Sequence, residues 1–329
     1  MSSKILVVGH RNPDNDSIDA AVGYAHLKNA LAARDGEADA VEYVPARLGP
    51  LPVESAWILE QNDIAEPVLI ENVNPVERDG EEVKQKVILV DHNEIGQAAP
   101  GIENADVVEI IDHHRLGTVE TMSPVFFRNQ PLGCTATIIY QMYQENHMEI
   151  DKTTAGLLCS AIISDTLLFR SPTCTAVDKA AGLALAQIAG LDIEKYAIDM
   201  FSAGSNLKGK SDGDIFYQDF KRFTVGNSVF GIGQITSLNA VELKDLRSRM
   251  SVYTEKEREQ HEIDMMFFML TNILTESTDL ICTGQGAEQL ITTAFHVADE
   301  DVENVSAQTG IVKLPGVVSR KKQLAPQIM

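Results

Sequence analysis

Three short segments of the sequence bring imidazoles and carboxylates together in a spacing suited to binding metal ions. In the first segment, His10, Asp14 and Asp16 lie within seven positions, and Asn12 and Pro13 favour a turn between them. Carboxylate and imidazole ligands without thiolates suit Mn²⁺, Fe²⁺, Co²⁺ or Mg²⁺, and they also allow Zn²⁺. The segments are residues 10–16 (HRNPDND), 91–94 (DHNE) and 112–114 (DHH).

Each segment also has a purely structural interpretation. Asp is a preferred helix N-cap, so Asp16 could serve only to start the helix that follows it. His92 could be a core histidine with satisfied hydrogen bonds, and Asp112 could serve only to orient a neighbouring imidazole. Burying adjacent histidines such as His113 and His114 beside an Asp is costly unless they bind something, which favours the metal interpretation.

Two further segments place charged side chains next to apolar residues, where a charge is usually paired with an opposite charge. Asp165 follows the apolar residues 155–163 and is either another helix cap or a buried carboxylate that joins a metal site. Residues 319–323 (SRKKQ) are a basic segment in which Arg320 can hold phosphate oxygens bidentately and Lys321 can act as a point charge. A solvated basic tail is the alternative, but the apolar flanks favour a folded segment.

The clusters follow elements that would position them at one edge of a parallel sheet. Residues 4–8 (KILVV) read as a buried strand, followed by a helix that starts near Asp16 or Ser17. Similar apolar runs recur at residues 67–70, 87–90 and 107–111, separated by helical or polar stretches. Ligands bind outside the carboxyl ends of such strands, which is where the acid and histidine clusters fall.

The remaining pattern predicts two domains. Helices are expected at residues 135–146, 153–164 and 177–189, and small polar residues at 203–206 indicate a linker. Strands are then expected at 229–235, 280–283 and 290–295, with a charged helix from about 255 to 274. The predicted fold is an α/β, Rossmann-like parallel-sheet domain followed by a smaller α+β domain with a mixed sheet.

Composition narrows the classes of function. The 329 residues suit two domains, and 48 acidic against 27 basic residues give a net charge of -21, which disfavours nucleic-acid binding and fits metal binding. The four cysteines are scattered without a C-x-x-C pair, which fits a reducing cytoplasm. The sequence shows neither a signal peptide nor a membrane span, so we expect a cytoplasmic protein.

Taken together, these motifs resemble the family II, manganese-dependent inorganic pyrophosphatases of the DHH phosphoesterase superfamily. The leading H-x-N-P-D-x-D and the DHH elements mark the superfamily, whereas VDHNE, SDT and SRKKQ in one chain are typical of the pyrophosphatases. The match covers nearly the whole chain, with Asn15 standing where many relatives carry Thr. It implies a DHH metal-binding catalytic domain at 1–203, a linker at 204–209 and a substrate-binding, DHH-associated domain at 210–329.

The resemblance also implies a role for each candidate residue. His10 and Asp14 would hold one Mn²⁺, Asp16 and His113 a second, and Asp91 and Asp165 would contact both. Co²⁺ would be a substitute, and Mg²⁺ would enter with the substrate. The residues implied to bind substrate phosphate are His114, Lys221, Arg320 and Lys321, and these four together with Asp91 and Asp165 are the expected catalytic residues.

The reaction implied is hydrolysis of pyrophosphate to two phosphates by a metal-activated hydroxide at a dinuclear site between the two domains. Relatives of this kind are commonly homodimers. The nearest alternative is a DHH-family exopolyphosphatase or other phosphoesterase, including a nuclease. A phosphate or nucleotide sensor that has lost turnover is an alternative of another class, which the complete set of ligands disfavours.

Overall fold

The computed structural model describes residues 3–78, 80–204, 207, 209–226 and 228–329, and the chain divides after Gly204 into two compact units. The predicted linker at 204–209 starts at the last residue of a helix, and its residues 205, 206 and 208 lie outside the described residues. No helix in the described ranges combines the length and apolar character that a bilayer span requires.

The first unit is built on a six-stranded, fully parallel sheet in the order β3-β2-β1-β6-β7-β8. The central strands are almost continuously apolar and buried, as is typical of a parallel sheet that is covered on both faces. A separate two-stranded ribbon is formed by β4 and β5. The strands are β1 Ser3–Val8, β2 Val41–Leu48, β3 Val68–Ile70, β4 Val76–Arg78, β5 Glu81–Val83, β6 Lys86–Val90, β7 Asp106–Asp112 and β8 Phe126–Asn129.

The described part of the first unit also contains six α-helices, of which α1 and α3 contact the strands of the sheet directly. Its core includes fully buried Val8, Val87 and Leu89 from the central strands. The fifth helix starts with a Thr175 capping box and ends at Gly190 in the left-handed conformation, where the sequence predicts its end. The helices are α1 Asn15–Arg34, α2 Val53–Gln61, α3 Thr135–Glu145, α4 Lys152–Asp165, α5 Ala176–Ala189 and α6 Ile193–Gly204.

The second unit contains a mixed six-stranded sheet in the order β13-β14-β12-β11-β10-β9. Of the described strands in this sheet, only β10 and β11 pair in parallel. Separate apolar cores cover its two faces, one containing Phe216 and Met250 and the other Phe267 and Leu324. The elements are β9 Phe220–Val225, β10 Ser228–Ser237, β11 Met265–Asn272, β12 Ser277–Thr283, β13 Val302–Asn304, β14 Thr309–Pro315, α7 Asp212–Phe216, α8 Ala240–Gln260, α9 Ala287–Phe295 and α10 Ala325–Ile328.

The predicted fold class, a Rossmann-like parallel-sheet domain followed by a smaller α+β domain with a mixed sheet, is confirmed. Two predicted elements of the second unit are wrong. The helix expected at 255–274 is the end of α8 followed by the strand β11, and the strand expected at 290–295 belongs to α9. The helix start is also corrected, because Asp14 rather than Asp16 or Ser17 caps α1.

Candidate metal centre

The acid and histidine clusters of the first unit meet at the carboxyl ends of its central strands. His10 follows β1 and Asp91 follows β6, and these two strands are neighbours in the middle of the sheet. The chain runs outward in opposite directions from this pair, so the crevice between their ends is the place where such folds bind ligands. The next strand, β7, ends in the segment that supplies His113 and His114.

Asp91 lies between two histidines that come from different strands. Its Oδ2 is 3.3 Å from His10 Nε2 and its Oδ1 is 3.4 Å from His113 Nε2. The residue is buried and its φ is 62°, a left-handed conformation that costs energy for a side chain other than glycine. Strain of this kind persists where the surrounding structure requires one side-chain direction, as at functional sites.

Three groups of side chains place possible ligand atoms within 4.8 Å of one another, and Asp91 belongs to two of them. Although Asp91 Oδ2 lies close to His10, it is buried without a well-formed hydrogen bond to any described residue. Such an atom is suited to a cation, and the mainly oxygen and imidazole donors fit Mn²⁺. The groups are His10, Asp14 and Asp91; Asp91, His113 and His114; and Asp16, Cys134 and Asp165.

Asp165, the last residue of α4, lies on the His113 side of this cluster. Its Oδ2 is 3.9 Å from His113 Nε2, and Asp16 Oδ2 is 4.0 Å from the same nitrogen. His10 and Asp14, which are 3.5 Å apart, form the other side. Asp165 is not grouped with His10 and Asp14 in the described residues.

Hydrogen bonds to the second ring nitrogen fix the direction of the histidines. His113 Nδ1 is 2.9 Å from the carbonyl oxygen of Leu132, which leaves Nε2 facing the carboxylates. His114 Nδ1 is 3.0 Å from Asp112 Oδ1, so Asp112 has the orienting contact that one interpretation of the sequence gave it. His92 is buried with Nδ1 2.9 Å from Val90 O, as for a core histidine, but its Nε2 has no partner among the described residues.

The carboxylates strongly favour protonated histidines. Burial lowers the pKa of His10, but its contacts with Asp14 and Asp91 outweigh burial and raise that pKa to about 10. Burial likewise opposes protonation of His113, whose pKa is raised to about 10 by Asp91 and Asp16. A bound cation would compete with these protons, because an imidazole must be neutral to be a ligand.

Two carboxyl groups of the cluster are instead pushed towards their neutral forms. Burial and the charge of Asp91 raise the pKa of Asp16 to about 7. Burial, followed by the charges of Asp16 and Asp91, raises the pKa of Asp165 well above its usual range. So many acids in one buried place are unfavourable without a positive partner, and a divalent cation would supply one.

Asp16 does not cap its own helix but is held by the beginning of another. Its carboxylate accepts hydrogen bonds from the backbone N–H groups of Thr135 and Ala136, the first residues of α3. The Sγ of Cys134 lies 3.0 Å from Asp16 Oδ1. These contacts could not be predicted from the sequence, because Cys134 and Thr135 belong to no charged or histidine-rich motif.

Three of the four residues predicted to bind phosphate, Lys221, Arg320 and Lys321, belong to the second unit. Arg320 is 8% exposed, and its Nη1 donates to the carbonyl oxygen of Asp219 at 2.6 Å and lies 2.9 Å from Asp219 Oδ1. Lys221, two residues later on β9, is exposed, as is Lys321. The basic segment is therefore a folded part of the second unit and not a free tail, with Arg320 in a π-helical turn over Arg320–Leu324.

Comparisons with known proteins agree along the whole chain. Residues 4–162 match the DHH family, N-terminal domain, and residues 198–329 match the DHHA2 domain. A manganese-dependent inorganic pyrophosphatase from Methanothrix thermoacetophila is 39% identical over 328 residues, covering 100% of this chain and 98% of the relative. A "Probable manganese-dependent inorganic pyrophosphatase" from Clostridium acetobutylicum is 40% identical over 328 residues, with the same coverage.

A solved structure shares the fold of the chain. The crystal structure of a Methanococcus jannaschii protein assigned to the family II inorganic pyrophosphatases superposes with a TM-score of 0.58 at 32% sequence identity. The match covers 98% of both chains, so it includes both units. Neither unit of this chain therefore lacks a counterpart in that protein.

Proposed function

Because the chain belongs to the family of manganese-dependent inorganic pyrophosphatases, we propose that it hydrolyses pyrophosphate to two phosphates. The observation that carries the proposal is the buried carboxylate of Asp91, whose two oxygens face His10 and His113. A carboxylate in that position can contact two ions at once. Paired ions are a common arrangement for hydrolysing phosphate compounds.

The proposed cofactor is a pair of Mn²⁺ ions, for which Co²⁺ would be a substitute because it accepts the same donors. One ion would be held on the His10 and Asp14 side, and the other on the Asp16 and His113 side. Asp91 and Asp165 would contact both, and Mg²⁺ would accompany the substrate. When bound, such ions lower the pKa of water and neutralise charge on phosphoryl oxygens.

His114 is proposed to bind a phosphate oxygen of the substrate. Its side chain is about half exposed, and the hydrogen bond with Asp112 raises its pKa, which favours the protonated ring. Asp112 fixes the ring through Nδ1 and leaves the Nε2–H free to donate. A fixed cationic donor of this kind stabilises charge on the substrate without first having to reorganise.

Three cations of the second unit are proposed to complete the phosphate-binding set: Lys221, Arg320 and Lys321. Phosphoryl transfer depends mainly on positioning the substrate and neutralising its charge, which makes such residues catalytic. Asp219 supports this assignment, because it lies two residues before Lys221 in the sequence and its contacts with Arg320 hold the guanidinium in one place.

We also propose that the protein is a homodimer that pairs through β8. This strand lies at one edge of the parallel sheet and exposes Phe126 and Phe127 by 50% and 43%. An exposed apolar edge strand favours pairing with a second chain.

The proposed interface is tested by sedimentation, which should show monomers for the double variant Phe126→Lys, Phe127→Lys. Leu69→Lys on the opposite edge strand is the control and should stay dimeric. An unchanged dimer in the double variant would place the interface elsewhere.

The proposed reaction is tested by measuring phosphate release from metal-stripped protein before and after Mn²⁺ is added. Magnesium pyrophosphate, tripolyphosphate and a short oligonucleotide serve as parallel substrates. We expect Mn²⁺-dependent turnover with pyrophosphate strongly preferred. A preference for tripolyphosphate would instead make the protein an exopolyphosphatase, and cleavage of the oligonucleotide would make it a nuclease.

The proposed roles of the residues are tested by comparing substitutions in the two units. Asp91→Asn and Asp165→Asn should disturb both ions and lose Mn²⁺ stoichiometry as well as turnover. Lys221→Ala should keep both ions and lower turnover by about 10²-fold, the cost of removing one charge-stabilising donor. Equal losses of turnover and metal in all three variants would contradict the assignments.

A further inference from the structure

The first turn of α3 contacts two carboxylates of the candidate metal centre. Thr135 donates its backbone N–H to Asp16 Oδ2 at 2.6 Å, and Ala136 donates to Asp16 Oδ1 at 3.0 Å. Thr135 also donates its hydroxyl to Asp91 Oδ1 at 3.3 Å. One turn of helix, more than forty residues away in sequence from either carboxylate, therefore contacts both.

Cys134 occupies the N-cap position of α3 but makes no capping hydrogen bond to its own helix. Its Sγ lies instead 3.0 Å from Asp16 Oδ1, at a place where the thiol is completely buried. The capping function passes to Asp16, a residue of α1, whose carboxylate accepts the first N–H groups of α3. The partial positive charge of the helix start favours this carboxylate.

Counting donors shows which oxygen of Asp16 is left for a cation. A carboxylate has about four lone-pair directions, two on each oxygen. Both directions on Oδ1 are taken, one by Cys134 Sγ and one by the N–H of Ala136. Among the described residues, only Thr135 donates an N–H to Oδ2, which lies 4.0 Å from His113 Nε2. One direction on Oδ2 is therefore left, on the oxygen that faces the other ligands.

We propose that Cys134 and Thr135 are positioning residues that orient Asp16 and Asp91 for metal binding, so that Asp16 binds its ion through Oδ2 alone. The inference rests on the proposed metal centre and gives an orienting role to two residues outside the acid and histidine segments of the sequence, with Cys134 acting on Asp16 and not as a ligand. Cys134 occupies Oδ1 and prevents Asp16 from turning or from binding a cation through both oxygens. Thr135 ties Asp16 to Asp91 because one residue donates to both side chains.

The test measures Mn²⁺ affinity in the full-length, metal-stripped protein by following the signal of free Mn²⁺ in electron paramagnetic resonance. Cys134→Ala and Thr135→Val remove one side-chain donor each and should weaken Mn²⁺ binding about tenfold, the lower end for residues that orient metal ligands. Cys134→Ser replaces the thiol with a hydroxyl donor and Thr135→Ser keeps its hydroxyl, so both variants should keep most of the affinity.

Two matched controls separate positioning from loss of packing. Cys159 is another fully buried cysteine, and its Sγ lies 3.4 Å from Gly182 O. Thr137 is on the same helix as Thr135, and it donates its hydroxyl to Asp178 of α5. Cys159→Ala and Thr137→Val should lower the melting temperature of the metal-stripped protein and leave Mn²⁺ affinity unchanged. The Cys134 and Thr135 variants should change affinity beyond what their melting temperatures account for.

The possible results distinguish this inference from the proposed function. If Cys134→Ala and Thr135→Val bind Mn²⁺ as tightly as the controls, the positioning role is overturned. If the unchanged protein takes up no Mn²⁺, the metal centre fails and the inference fails with it. If the affinities change as expected but no variant, nor the parent, hydrolyses pyrophosphate, the inference stands and the proposed function is wrong.

Discussion

Asp19 is a buried carboxyl group whose two oxygens have no hydrogen-bond partner among the described residues. It lies on α1, three residues after Asp16. Burial, and then the charges of Asp16, Glu54 and Asp14, raise its pKa well above the usual range. The folded chain therefore favours its neutral form, and ionising it opposes folding.

The pH dependence of this cost gives a prediction for Asp19→Asn. The folded pKa lies above the unfolded value of about 4, so the unfolded chain releases this proton first as pH rises and the wild-type protein loses stability from about pH 4 upward. The variant lacks that loss. At pH 8 the metal-stripped variant should be more stable than the wild type by about 1–3 kcal/mol, and near pH 4 the difference should vanish.

Urea unfolding at both pH values measures this difference, and the other shifted groups cancel because both proteins carry them. If the difference in unfolding free energy between the variant and the wild type were the same at pH 4 and pH 8, ionisation of Asp19 would not be its cause. Replacement by Asn keeps the size of the side chain, so packing is little changed.

The candidate ligands could be identified from sequence, and so could the orienting contact of Asp112, but Cys134 and Thr135 could not. His10, Asp14 and Asp91 carry chemistry that is visible in the residue type and in a position after an apolar strand. Cys134 and Thr135 carry no such signal, and 118 residues separate Cys134 from its partner Asp16. Their role depends on where α3 begins in space, which spacing along the chain does not reveal.

At the scale of elements, Gly9 sets how closely the end of β1 approaches the beginning of α1. A Cβ on Gly9 would lie 2.0 Å from Ser17 Oγ and 2.5 Å from the carbonyl oxygen of Ser17. The hydroxyl of Ser17 accepts the backbone N–H of His10 at 2.8 Å. Both sides of the turn that carries His10 and Asp14 therefore depend on this close contact.

We predict that Gly9→Ala forces the strand end and the helix apart. Because backbone atoms have to move, the variant should lose about 1–3 kcal/mol of unfolding free energy, and Mn²⁺ binding should weaken as His10 shifts. Gly96→Ala is the control, since a Cβ there meets no atom within 4 Å. Urea unfolding and Mn²⁺ titration of both variants test the prediction, and equal behaviour would contradict it.

The errors in predicted elements have identifiable physical causes. The second half of the helix expected at 255–274 is β11, an apolar run whose buried residues face both cores, and periodicity does not distinguish such a strand from a buried helix. The central strand β2 was not predicted, because Pro45 lacks an N–H and argues against a strand interior. In β2, packing between β1 and β3 overrides that preference.

At the scale of the whole molecule, the order of strands decides which motifs meet. The sequence predicts that His10, Asp91 and His113 follow strands, but it does not say that β1, β6 and β7 are neighbours. The order 3-2-1-6-7-8 makes them adjacent at the centre of the sheet, while β2 and β3 lie on the other side of β1. Predicting the site from sequence alone therefore required family resemblance in addition to pattern.

The division into two units gives the last prediction. Each unit has its own sheet and apolar cores, so residues 1–204 and 205–329 should each fold when produced separately. The first fragment contains every proposed metal ligand and should bind Mn²⁺, whereas the second should bind none. Since Lys221, Arg320 and Lys321 belong to the second fragment, the first alone should hydrolyse pyrophosphate at least about 10³-fold more slowly than the whole chain, by analogy with the loss of a charge-neutralising arginine.

Circular dichroism, Mn²⁺ titration and phosphate release from both fragments check this prediction. The two readouts separate the roles of the units, because metal binding tests the first unit and turnover tests its dependence on the second. Full turnover by residues 1–204 would show that the cations of the second unit are not catalytic. Failure of a folded first fragment to bind Mn²⁺ would instead mean that the second unit contributes to the metal centre itself. We expect binding, because the possible ligand atoms of each group in the first unit already lie within 4.8 Å of one another.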